Sequence, residues 1–179
     1  MKVWLTLIFF LFHSIAVSAE APKYFDDSAS GIFLHNSESA KSTLNDIAPN
    51  CGKYELNGYC FLNPKRNQKI TFTFHEGSTK FDISEIFIEE YKVDKKVNYP
   101  IFPIELEAFI TSKGIQLGIS LKELKLKLGE AHTKNVDDYS YRVEFNPYIL
   151  NNYNIPVYYG FYTFKENKLI SFKYGFEYP

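Results

Sequence analysis

A short phrase occurs twice in this chain, and it constrains the fold more than any other feature. Gly31-Ile32-Phe33-Leu34-His35-Asn36-Ser37 returns as Gly114-Ile115-Gln116-Leu117-Gly118-Ile119-Ser120, with Gly, Ile, Leu and Ser in register. Each copy ends on a serine suited to capping a helix. A second echo follows in each half, Thr73-Phe74-His75-Glu76 against Thr163-Phe164-Lys165-Glu166. The intervals nearly agree, 83 residues for the first phrase and 90 for the second. Self-similarity at a fixed interval marks a structural unit made more than once. The expected fold is α+β, two similar units, each a helix packed on an antiparallel sheet of three or four strands.

Residues 1–19 stand outside that scheme. Lys2 gives a positive start, Val3 to Val17 is mostly apolar, and Val17-Ser18-Ala19 offers small residues before Glu20. This is the layout of a secretory signal cut after Ala19. An uncleaved anchor is the alternative, but His13 and Ser14 interrupt the apolar run, which falls short of the roughly 20 residues a spanning helix needs. The rest has no comparable run, so no stable membrane insertion is expected. Net charge is −1, with 20 basic and 21 acidic residues, so no nucleic-acid footprint is present. Cys51 and Cys60 are the two cysteines. In an oxidising compartment such a close pair reads as one disulfide, free thiols being the alternative. The expected location is periplasmic or secreted.

The boundaries follow from patterning. The first unit is expected over 20–91, a linker over 92–111 and the second unit over 112–179. In the first, residues 20–30 read as a polar lead-in and Ser37 as the cap of a helix carrying Ala40, Leu44 and Ile47 on one stripe. A cysteine-clipped hairpin follows over 53–62. Ile70, Phe72 and Phe74 then alternate with Thr71 and Thr73, as in a half-buried strand. Over 81–91 the phase changes between Ile83 and Ile86, which predicts a bulge. The linker carries Lys92, Lys95, Lys96, Pro100 and Pro103 and reads as a solvated connector. In the second unit Ser120-Leu121-Lys122-Glu123 is a capping box, and Leu117, Leu121, Leu124 and Leu128 form the inward stripe. Three strands follow, with residues 146–156 read as an Asn-rich loop and Glu166-Asn167 as a hairpin turn.

The run from Gly114 to Leu124, with Leu128-Gly129-Glu130 after it, resembles the opening of a repeat shared by β-lactamase-inhibitor proteins and the small outer-membrane assembly lipoprotein domain. The resemblance covers most of 111–176 well and 28–91 loosely. It implies a secreted, non-catalytic protein-binding module with aromatics on a sheet face. The chain departs from both families. It has a cysteine pair in the first unit alone, and it lacks a lipidation cysteine at the cleavage site.

Chemistry-bearing motifs are sparse. His35, His75 and His132 are isolated, without metal-ligand spacing. No Gly-x-Ser-x-Gly or phosphate-cradling glycine loop occurs, and no cofactor is implied. Glu89-Glu90 and Asp137-Asp138 read as solvated strand ends and turns. The feature that points outward is aromatic: Tyr148, Tyr153, Tyr158, Tyr159 and Tyr162 cluster in and after the Asn-rich loop. Tyrosine offers a rigid apolar face with a polar tip and is favoured at interfaces. The expectation is an exported, non-enzymatic protein-binding module of the bacterial envelope, with inhibition of a secreted enzyme as one form. An assembly factor of the outer membrane, or an enzyme with an unrecognised acidic site, are the other readings. Carbohydrate is a second partner class for the same aromatic faces.

Overall fold

Alternating apolar residues build one sheet in this protein, and its register explains why. The computed structural model describes residues 20–51, 57–92 and 98–177. The expected signal, the tip of the cysteine-clipped hairpin at 52–56 and the lysines Lys95 and Lys96 lie outside the described residues. A small ribbon, β1 (Ser28–Ala29) and β2 (Ile32–Phe33), precedes helix α1 (Ser37–Leu44). Strands β3 (Gly58–Leu62), β4 (Gln68–Phe74) and β5 (Ile83–Glu90) follow as a meander. Helix α2 (Leu121–Leu128), β6 (Thr133–Lys134), β7 (Asp138–Glu144), helix α3 (Pro147–Tyr153), β8 (Val157–Lys165) and β9 (Lys168–Glu177) complete the chain. The strands form a seven-stranded antiparallel sheet in the order β3-β4-β5-β9-β8-β7-β6.

This corrects the expected α+β pair of helix-on-sheet units. The protein is mostly β, with three short helices, one continuous sheet and the two-stranded ribbon. The reason lies at the seam. A meander ends in an edge of unpaired amides, which are costly to bury and prone to pair elsewhere. Here the β5 edge of one meander pairs with the β9 edge of the other, from Glu85↔Gly175 to Glu89↔Ser171. Gly175 permits the approach, because a Cβ there would lie 2.3 Å from the Ser84 carbonyl oxygen.

Pairing those edges also merges two apolar faces. Tyr59 and Phe61 of β3, Ile70 and Phe72 of β4, and Ile86 and Ile88 of β5 are buried on one side. They continue into Phe172, Tyr174 and Phe176 of β9, Tyr158 and Tyr162 of β8, and Tyr141 of β7. Ala40 and Leu44 of α1, Leu124 and Leu128 of α2 and Ile149 of α3 pack into this same core.

The repeated phrase persists as local geometry. Gly31 and Gly114 both have positive φ, 87° and 69°. His35 takes the left-handed backbone (φ 50°) that Gly118 takes in the second copy (φ 86°). Both donate their amides into the sheet, His35 to the Ile83 carbonyl and Gly118 to the Leu169 carbonyl, each at 2.8 Å. The first helix is capped one residue earlier than Ser37: Asn36 Oδ1 accepts the Ser39 amide at 3.0 Å. In the second copy the capping box is formed, Ser120 Oγ taking the Glu123 amide and Glu123 returning to the Ser120 amide.

The segments read as a solvated connector and a polar lead-in both contribute to the core. In the connector, Phe102 and Phe109 are buried, and Asn63 Nδ2 donates to the Glu107 carbonyl at 2.8 Å. In the lead-in, Phe25, Asp26, Ser28 and Ala29 are buried. The Cys51–Cys60 disulfide is formed. On the loop-entropy account a clip of this length contributes about 2–3 kcal/mol. It fits export. No helix among the described residues is long and apolar enough to cross a membrane.

Candidate functional site on the open sheet face

The sheet's second face is set by the same period of two that builds its core. Residues alternating with the buried set form rows across the strands. One row runs Thr71, Phe87, Lys173, Phe161 and Ser140; the next runs Thr73, Glu85, Gly175, Tyr159 and Arg142. The described helices pack into the core on the opposite side. Among the described residues, the β3 edge of this face is covered by Cys51 and Tyr99, which pack with Cys60 and Leu62. Phe161 is 44% exposed, a large apolar ring on an outward row.

These side chains hold one another in place. The Lys173 Nζ lies 5.8 Å from the Tyr159 ring centre and 5.7 Å from that of Phe161. It also pairs with Glu85 Oε2 at 3.2 Å. Such cation–ring contacts keep a lysine stem flat on an aromatic surface. Tyr159 donates its hydroxyl to the same Glu85 oxygen, spanning β9 to reach β5. That span crosses Gly175, which has no side chain to stand in its way. Burial, and then the Glu85 charge, push the Tyr159 phenol well above its ordinary value, so it stays a donor. Arg142 closes the other end of the face by pairing with Glu144 and Glu177.

Beside Glu85 the face dips into a cavity of about 410 Å³. Thr73, Phe74, His75 and Glu76 line it from the end of β4, Ser84 and Glu85 from β5, with Asn57 and Tyr159 completing the wall. A bulge shapes it: Thr73 pairs with Glu85 and Phe74 with Ile83, leaving Ser84 as the extra residue. This is the phase change read between Ile83 and Ile86. Among the described residues no three His, Cys, Asp or Glu side chains converge as metal ligands.

The five sequence-selected tyrosines are not one surface. Tyr159 is on the open face. Tyr158 and Tyr162 point into the core and are buried. Tyr148 and Tyr153 belong to α3, which replaces the expected loop. Asn146 caps it by accepting the Tyr148 and Ile149 amides, Pro147 opens it, and Asn154 ends it in the left-handed conformation. Both rings pack against Phe25 of the lead-in, Tyr148 edge-on at 5.7 Å and Tyr153 tilted at 5.4 Å between centres. Sequence reasoning missed Phe87, Phe161, Lys173 and Gly175. The available signal was two phenylalanines on the charged side of alternating strands.

Tyr158 serves the core instead. Its hydroxyl accepts the Asp26 amide and donates to the Asp26 carbonyl, both at 3.0 Å. The Asp26 carboxyl is buried; Ser112 donates to its Oδ1 at 2.7 Å, and Oδ2 is without a hydrogen-bond partner. Burial raises its pKa, against the opposing effect of Thr111 and Ser112. The folded state therefore holds this proton above the ordinary carboxylate value near 3.9. Stability falls as pH rises from there through the raised value. Asp26→Asn removes the ionisation and keeps the Ser112 bond. It is expected to raise Tm at pH 7 by about 2–4 °C, the size of ~1 kcal/mol in a chain of this length. The gain shrinks as pH falls toward 4, and thermal melts across pH 4–8 check it.

No known protein family, characterised protein or solved structure matches this chain.

Proposed function

We propose that the open sheet face is a protein-contact surface, and that the chain is an exported, non-enzymatic protein-binding module of the bacterial envelope. The observation that carries this reading is Phe161, 44% exposed on an outward row and flanked by Tyr159 and Lys173, with Phe87 on the far side of Lys173. A core-forming ring gains by burial, so an exposed one on a flat, pre-ordered platform is available for a partner to cover. Lys173, Glu85 and Tyr159 are already tied together, so little side-chain freedom remains to be lost on binding. Aromatics ringed by paired charges are the composition of an interface hot spot. The resemblance of Gly114–Glu130 to inhibitor and assembly-lipoprotein repeats supports the same class. Inhibition of a secreted enzyme is one form of this role.

The test is capture from an envelope extract by the immobilised protein, with a Phe87→Ala/Phe161→Ala double variant in parallel. Both rings face away from the core, so the variant keeps its fold. A specific partner is expected to bind it at least tenfold more weakly, since hot-spot truncations cost about 2 kcal/mol or more. A set of captured proteins identical for the two forms refutes the contact surface.

A further inference from the structure

We infer that the cavity beside Glu85 is a receptor for an arginine side chain of the protein partner, an inference that rests on the contact-face reading above. Three observations carry it. The cavity, about 410 Å³, is within the range of sites that enclose small groups. Its lining holds two carboxylates, Glu76 and Glu85, and neither lysine nor arginine. Lys173, just outside, neutralises one of the two through Glu85 Oε2. The mouth therefore keeps a net negative charge, which repels anions and draws a cation.

The geometry favours a guanidinium over an ammonium. Both contacts of Glu85 fall on Oε2, where Tyr159 and Lys173 meet. Oε1 is left as an acceptor on a side chain only 15% exposed, where a charged hydrogen bond is worth more than in open water. Tyr159 supplies an aromatic wall on which a planar guanidinium stacks. Asn57, exposed at the rim, adds a neutral oxygen acceptor, while deeper in the wall the Ser84 hydroxyl is held by the Thr73 carbonyl at 3.1 Å. An arginine uses all three kinds of contact, whereas a lysine has no plane to stack.

The experiment is an NMR titration of the ¹⁵N-labelled protein with N-acetyl-arginine N-methylamide, and in parallel with the norleucine and glutamate counterparts. Saturable shifts at the Ser84, Glu85 and Gly175 amides are expected for arginine alone. Glu85→Gln, which keeps the side chain's shape, is expected to weaken that binding at least tenfold. Absence of a response to arginine, an equal response to norleucine, or stronger binding of glutamate overturns the inference on the unmutated protein. Unchanged arginine affinity in Glu85→Gln overturns it as well. The two proposals fail separately. A captured partner indifferent to Glu85→Gln removes the arginine and leaves the contact face, while arginine binding with no captured partner removes the face and leaves the cavity.

Discussion

Replacing Gly175 with alanine is expected to lower stability by about 3 kcal/mol, at the upper end of ordinary overpacking costs. The Cβ would stand 2.3 Å from the Ser84 carbonyl oxygen and 2.8 Å from the Glu85 Cα, both backbone atoms. Neither can move without disturbing the β5–β9 pairing that joins the two meanders. Alanine would also stand under the Tyr159 hydroxyl where it crosses to Glu85. Gly160→Ala is the comparison. There the added carbon meets the edge of the Tyr162 ring at 3.0 Å, a longer approach and to a side chain rather than to backbone, so a loss nearer 1 kcal/mol is expected. Urea unfolding of both variants checks the contrast. Equal losses would show that the seam carries no special constraint.

Phe25→Ala is expected to cost about 3–4 kcal/mol, the usual range for removing a buried phenyl ring. Phe25 lies in a segment without long secondary structure, yet its ring sits 4.8 Å from that of Tyr158 and 5.4 Å from that of Tyr153. It also faces Phe176 and Tyr148, so one side chain ties the lead-in to α3, β8 and β9. Its loss leaves a cavity among rings that are themselves pinned by the sheet. Phe33, 40% exposed in β2, is the matched control and is expected to stay within about 0.5 kcal/mol when truncated. Hydrogen exchange at residues 24–29 adds a local readout, because the Asp26 amide should lose protection once the ring is gone.

Much of the local structure was legible in the chain. The strand over Ile70, Phe72 and Phe74, the Ser120–Glu123 capping box, the Glu166-Asn167 turn and the cysteine pair each rest on neighbours in sequence. The seam did not, because alternation tells which face a residue takes and not which strand lies beside it. Nothing near Glu85 announces Gly175. Helix α3 was hidden by its Asn and Tyr residues, which are indifferent helix formers. The Asn146-Pro147 start and Asn154 stop were the signs that mark it. The open face was half visible. Tyr159 was selected for its chemistry, but Tyr158 and Tyr162 share its strand and point the other way. Clustering in sequence mixes the two sides of a strand, and the period of two separates them.

Strand β9, which comes last in the described chain, occupies the middle of the sheet. A ribosome delivers the flanking strands first. Until residues 168–177 appear, β5 and β8 each hold out a row of amides with nothing beside it, the arrangement that invites chains to stick to one another. The sheet cannot zip up progressively from its beginning; it must wait for a keystone. That delay leaves the flanking strands pliable, and the sheet gains its rigidity only once β9 is in place.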